Sequence, residues 1–474
     1  MRSRSTVAGT VSDVVNSARA GLGVAGLLCA ALLASCTSGS KAAEPSFPPA
    51  ASSPAPASAG STADPAADWP TYHHDNGRSG LGPAQPAATK LIAAWRAKLD
   101  GAVYGQPLVV GGRVLAATEN DTVYALDAGN GAVVWSRHVG TPVPRADLPC
   151  GNIDPLGITS TMAYDADSRL VFALAESTGG AHTLYGIDVA TGQVRVRRAA
   201  EPPKGDRIAH QQRSALTVAN GQVYIAYGGL AGDCAQYIGS VVSVPVSGSG
   251  AGHSYAIPTT REGGIWAPGG GVVLGDRLYY AVGNGESTSG FDGSDTVIAL
   301  DPALRRTDFF APSTWADDNE KDLDLGSLTP AVVGSTIVIA GKRGVGYVLD
   351  PAHLGGIGGQ RGQSEICAAF GGAAVSGTTV FLPCNDGIRS ATLEGGSLRT
   401  GWHGPSGAKG SPVVAGGAVW VVDYKGGLLY LLDPASGKVR SKLAIGEAPH
   451  FASPTVAGGH GYVGTMTGVV SVTY

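Results

Sequence analysis

Two clusters in this 474-residue chain carry residue types from which metal or catalytic sites are built. His73-His74-Asp75 sets two imidazoles beside a carboxylate, a set of donors that suits a transition metal. Asp317, Asp318, Glu320, Asp322 and Asp324 crowd five carboxylates into one short run, and such oxygens attract a hard cation such as Ca²⁺. The run also reads more simply, as a solvated acidic loop with incidental cation affinity. Four further cysteines, Cys150, Cys234, Cys367 and Cys384, have neither a CxxC spacing nor a His cluster beside them, so disulfides are the better reading than metal. No GxSxG elbow, phosphate loop or HExxH helix is present, so nothing points to a serine hydrolase, a nucleotide-dependent enzyme or a zinc protease.

The bulk composition narrows the field further. A formal charge of −4 and a pI near 6.2 leave no basic footprint for nucleic acid. The 72 glycines punctuate short Val-rich runs, which is the texture of an all-β chain.

The first 35 residues read as a targeting segment. Arg2, Arg4 and Arg19 precede an apolar stretch over 21–34 that ends in Leu33-Ala34-Ser35-Cys36, which resembles a bacterial lipobox. Cys36 is then the expected lipidation site, with acyl chains anchoring the protein to the outer face of the cytoplasmic membrane. Residues 36–68 are nearly all Ala, Ser, Pro, Gly and Thr; with too little apolar surface to offset ordering entropy, they read as a disordered tether. An exported chain also permits disulfides. Cys367 and Cys384 flank two apolar runs that turn near Ser376-Gly377, so a hairpin brings them together and leaves Cys150 for Cys234.

The elements that must position any site come from a repeat. Pro107 precedes Asp127 by 20 residues, Pro330 precedes Asp350 by 20, and Pro412 precedes Asp433 by 21. Each interval holds two apolar runs and a third ending in Tyr-x-Leu-Asp, and looser copies lie at 161–196, 214–254, 272–310 and 373–402. A last copy begins at Pro454 and stops at Tyr474 before its fourth strand. The run around Trp95, which precedes Pro107 as an outer strand should, supplies the missing piece. The pattern predicts an eight-bladed β-propeller over 69–474, its last blade closed by an N-terminal outer strand. In Ala125-x-Asp127-x-x-Asn130-Gly131-x-x-x-Trp135, Asp and Gly shape the turn between third and fourth strands, and Trp135 is expected to dock on a neighbouring blade.

Propeller topology gathers the loops that enter the inner strands, and those between second and third strands, on one funnel face. That face is expected to carry Tyr104, Gln212, Arg213, Trp266, Asn284, Glu286, Asp322, Asp324, Lys342, Arg343, Asp386, Lys425 and His450. Taken alone, Trp266 followed by Gly-rich turns reads as a funnel plug and Asn284-Gly285 as a turn pair.

The repeat, the eight blades and the Trp69-Pro-Thr-Tyr72-His-His-Asp75 lead-in together resemble the quinoprotein alcohol dehydrogenase-like propellers, the family of the pyrroloquinoline quinone (PQQ) repeat. The resemblance implies packing roles for His73, His74 and Asp75. It implies that Trp266 in GGIWAPGG, 18 residues before Asn284 in LYYAVGN, matches the family's stacking Trp, with Asn284 as its Ca²⁺ ligand. It further matches Lys342 to the basic residue beside the quinone carbonyls and Asp324, in DLDLGS, to the catalytic base. Departures accompany these matches. Tyr104 stands where the family has an acid, Cys150-Gly151 replaces a vicinal cysteine pair, Leu156 replaces an Arg, and Cys234, beside Asp233, replaces a second acidic Ca²⁺ ligand. Losing two carboxylates leaves a divalent ion poorly neutralised.

The expected function is therefore a lipid-anchored, monomeric propeller that binds a small molecule, glycan or envelope protein at its funnel without redox chemistry. The alternative is a PQQ- and Ca²⁺-dependent dehydrogenase of alcohols or sugars, with Asp324 as base and Lys342 polarising the quinone.

Overall fold

The computed structural model describes residues 46–50 and 68–474. The targeting segment, Cys36 and most of the tether lie outside the described residues. Among those described, no helix is long and apolar enough to cross a membrane.

Eight antiparallel sheets form in chain order, as the repeat predicts. Burial within each follows radial position. The second strand of the second blade, Leu170–Ser177, is buried along almost its whole length because neighbouring blades cover both its faces. The fourth strand of the first blade, Val133–His138, is largely exposed and carries charge. Continuous apolar runs therefore mark middle strands and polar ones the rim. The fourth blade departs from the plan: Gly356–Ile357, from an excursion of the fifth, adds a strand parallel to Arg306–Ala311.

The ring closes at the eighth blade, where Ile92–Lys98 pairs antiparallel with Gly468–Thr473, with Trp95 opposite Ser471 and Lys98 opposite Gly468. Neighbouring blades are then locked by one recurring device. In the turn after the third strand, the Asp127 carboxylate accepts the Gly129 and Asn130 N–H groups, both at 3.0 Å, and Gly131 takes φ +74°. The Trp95 indole from the eighth blade lies over that glycine and donates to Ala128 O at 3.1 Å. Trp135 docks the same way over Gly192, donating to Val189 O at 2.9 Å, and Trp402 over Gly437, donating to Pro434 O at 2.8 Å. Trp135 is thus structural, as expected.

The lead-in fills the centre of the ring. Trp69 pairs with Val109, Pro70 O accepts from Tyr164, and Gly80 and Gly82 bond Val414, so one short segment ties several inner strands together. Arg78, only 2% exposed, donates to Thr71, Tyr72, Leu216, Thr217 and Gly271. His73 is fully buried, with Nδ1 at 3.1 Å from Ala373 O and Nε2 at 3.1 Å from Ser453 Oγ. The triplet packs, and both His73 ring nitrogens are taken. Within the tether stretch, Arg96 of the closing strand donates its N–H to Pro48 O and accepts from Ala50 N–H, so residues 46–50 line the outer edge of the eighth blade.

Candidate functional site

A cavity of about 360 Å³ opens where the inner strands begin, a size suited to a small organic ligand. Of the residues expected on this face, Tyr104, Arg213, Trp266, Asn284, Asp324, Lys342 and His450 line it. The others do not. Gln212 is buried and donates to Ser214 O and Ala226 O. Glu286 pairs with Arg261, Arg343 with Asp317 and Asp318, and Asp386 with Arg389, while Asp322 touches the cavity only through Lys342. Lys425 is exposed.

The acidic run is not a solvated loop. Asp317, Asp318 and Glu320 lie in the helix Trp315–Lys321; Glu320 and Asp322 do face solvent, while Asp318 and Asp324 are 2% and 3% exposed. The cause lies on the next loop, where the side chains of Lys342 and Arg343 draw the carboxylates inward. Lys342 Nζ lies 2.6 Å from Asp324 Oδ2 and 2.7 Å from Asp322 Oδ1. Asp324 Oδ1 accepts the Asn284 N–H at 2.6 Å. Burial raises the Asp324 pKa against the opposing pull of Lys342, while at Lys342 the Asp324 charge outweighs burial and raises the pKa of the ammonium. Gly283 permits the arrangement: a Cβ there would lie 2.6 Å from Asp324 Oδ1 and 3.2 Å from Trp266 Nε1.

Opposite this pair stands a cluster of rings. Trp266 meets Phe451 with centroids 6.0 Å apart, and Phe451 stacks on His450 at 3.8 Å. Arg213 runs between Tyr104 and Phe451, 5.6 Å from each centroid, and donates to His450 O at 2.8 Å. Burial and the Arg213 charge hold His450 down at about 4, so its ring is neutral. Phe451, Phe370 and Asp233 also line the cavity, and the sequence placed none of them on the funnel face. Phe451 adjoins His450 in the same loop at φ +68°, a conformation no residue-type rule signals.

Both expected disulfides form, Cys150–Cys234 and Cys367–Cys384. The first ties together two cavity walls, since Asn152 and Ile153 lie just past Cys150 and Leu230 and Asp233 just before Cys234.

PQQ with Ca²⁺ can be tested against these side chains. A flat tricyclic quinone is best held in a parallel slot, whereas the Trp266 and Phe451 rings are tilted by 36° with centroids 6.0 Å apart and form no such slot. The ion needs bare carboxylates beside Asn284, but Asp324 is neutralised by Lys342 and Asp233 Oδ1 accepts the Tyr237 hydroxyl at 2.6 Å. Among the described residues, no group of three or more His, Cys, Asp or Glu is arranged to hold a metal. The arrangement does not fit that pair of cofactors.

Outside the cavity lining lies a set of buried ionisable groups. Burial raises the Glu119 carboxyl to about 8 and the Asp121 carboxyl to about 7. Burial works against charge on His182, but Glu176 and Glu201 outweigh it and lift the pKa to about 9. All three folded values exceed the ordinary ones, so the folded chain keeps protons that the unfolded chain releases, and stability is lost as pH rises. Buried His73, at about 3, and His450 act oppositely, but only below their ordinary 6.5. The melting midpoint should therefore fall steadily from pH 6.5 to 9, and Glu119→Gln should flatten that slope. A midpoint that holds or rises over this range in calorimetry would contradict the assignment.

With this geometry in place, relatives can be compared. Residues 92–304 match the family described as outer membrane protein assembly factor BamB. A polyvinylalcohol dehydrogenase from a Sphingopyxis species is 24% identical over 353 residues, covering 64% of this chain and 51% of the relative. The chain thus spans about half the length of that curated relative. The quinohemoprotein alcohol dehydrogenase of Comamonas testosteroni superposes with a TM-score of 0.65 at 17% identity, over 87% of this chain and 81% of that one. BamB from Moraxella catarrhalis gives 0.58 at 16% identity, over 81% and 100%. At these identities the structural likeness speaks to the fold alone.

Proposed function

We propose that this chain, a β-propeller of the quinoprotein alcohol dehydrogenase-like family, is a ligand-binding module that uses its central funnel without redox chemistry. That family includes both dehydrogenases and assembly factors, so the choice rests on the site. Asp324 carries it. One of its oxygens meets Lys342 at 2.6 Å and the other the Asn284 N–H at 2.6 Å, so its charge is compensated within the protein and is not presented bare to a Ca²⁺ ion. What remains open is a cavity of about 360 Å³ lined in part by rings.

Trp266 is the aromatic face that a ligand meets. Purified wild-type protein incubated with extract of producing cells should retain a small molecule that Trp266→Ala does not. Identical retained molecules on both proteins would count against the funnel as the site.

The second reading, a PQQ- and Ca²⁺-dependent dehydrogenase of an alcohol or sugar, is supported by one observation: Trp266, Asn284, Asp324 and Lys342 all reach the same cavity. We also propose that the module is held at the outer face of the cytoplasmic membrane by acylation of Cys36. Incorporation of labelled palmitate into the wild type but not Cys36→Ala supports this; equal labelling of the two overturns it.

A further inference from the structure

Arg213 is the one cation of the cavity that lacks an anionic partner. It is 8% exposed, and among the described residues it makes no ion pair with a carboxylate. One N–H donates to His450 O, and Tyr104 and Phe451 flank the guanidinium. Glu119 acts on its charge, but none of the nearby acids closes an ion pair with it. Asp324 is neutralised by Lys342, and Asp233 accepts from Tyr237. Glu119 is sealed away, its Oε2 accepting from Gly157 N–H and Thr159 Oγ1 and its Oε1 unpartnered; burial keeps it largely protonated at neutral pH.

A guanidinium held out of bulk water without a counter-charge is costly, and that cost is relieved when an anion arrives. Its planar fork of N–H donors matches a carboxylate, which accepts two parallel hydrogen bonds. A tetrahedral phosphate is a poorer match, because the other nearby cation, Lys342, is already engaged by two carboxylates. The lining also presents Ile153, Leu230, Trp266, Phe370 and Phe451, so the body behind the charge should offer a flat or apolar face to them.

We propose that the funnel is a receptor for a small organic carboxylate, its anionic group paired with Arg213 and its apolar body lying against Trp266 and Phe451. The inference rests on the funnel being a ligand site and adds the chemical class of the ligand.

The test compares 2-naphthoate with its neutral counterpart, 2-naphthalenemethanol, by titration calorimetry on the disulfide-intact protein. The acid should bind wild type at least about tenfold more tightly than the alcohol, the minimum expected for a charge-assisted pair. In Arg213→Gln the acid should lose that advantage. If this variant does not fold, the acid-to-alcohol ratio on wild type decides alone. An alcohol that binds as tightly as the acid, with binding lost in Trp266→Ala, overturns the carboxylate assignment and leaves the funnel reading standing. Failure of both probes to bind overturns the two together.

Discussion

Trp95→Ala should cost about 3 to 5 kcal/mol of folding free energy, the usual range for removing a buried aromatic. Trp95 is 2% exposed, packs against Tyr462 at 5.8 Å and covers Gly131 of the first blade. It sits on the only strand that the N-terminal part of the propeller contributes to the eighth blade, so it couples ring closure to the docking of two blades. Trp135 uses the same device but is more exposed, and Trp135→Ala should cost less. Gly131→Ala approaches the effect from the other side, since a Cβ would lie 2.5 Å from the Trp95 ring. Urea unfolding of the three variants gives the order directly. A loss below about 1 kcal/mol for Trp95→Ala would mean that the ring is closed by strand pairing alone.

The second large effect concerns the disulfide that walls the cavity. Cys150 and Cys234 are 84 residues apart, and constraining a loop of that length is worth about 4.5 kcal/mol in the chain-entropy account. Cys367–Cys384 closes only 17 residues and is worth about 3 kcal/mol on the same basis. Replacing both Cys150 and Cys234 by Ser should therefore destabilise more than the corresponding change at Cys367 and Cys384. It should also weaken ligand binding, because Gly151 N–H bonds Ala231 O at 3.0 Å and both loops line the cavity. Equal losses from the two double variants, with no change in affinity, would show that the first disulfide neither restrains the unfolded chain nor holds the wall.

The scaffold was legible in the sequence because its signals are local and repeated. The Asp-x-x-x-Gly turn is a short-range hydrogen-bond pattern around Asp127, Asp188 and Asp433, and each occurrence fixes the end of a third strand. The missing fourth strand after Tyr474 and the surplus run around Trp95 predict the closure that Ile92–Lys98 makes. Both disulfide pairings followed from hairpin geometry and elimination.

The site was legible only where a side chain's loop decides its place. Trp266, Asn284, Lys342 and Arg213 enter the cavity because the loops before and between strands put them there. What the sequence misjudged were pairings between loops. The acidic run looked solvated because its partners, Lys342 and Arg343, lie some 20 to 25 residues further on and belong to another turn of the fifth blade. Phe451 was missed for a related reason: its contact with Trp266 spans the ring from the eighth blade to the fourth, and no spacing records it.

The most direct measurement is retention of PQQ in the presence and absence of Ca²⁺ after removal of excess, read by quinone absorbance and by alcohol-dependent dye reduction. With Asp324 closed onto Lys342 and Phe451 against Trp266, no Ca²⁺-dependent retention and no dye reduction are expected. Ca²⁺-dependent retention that supports dye reduction, and that is lost in Trp266→Ala, would contradict the account.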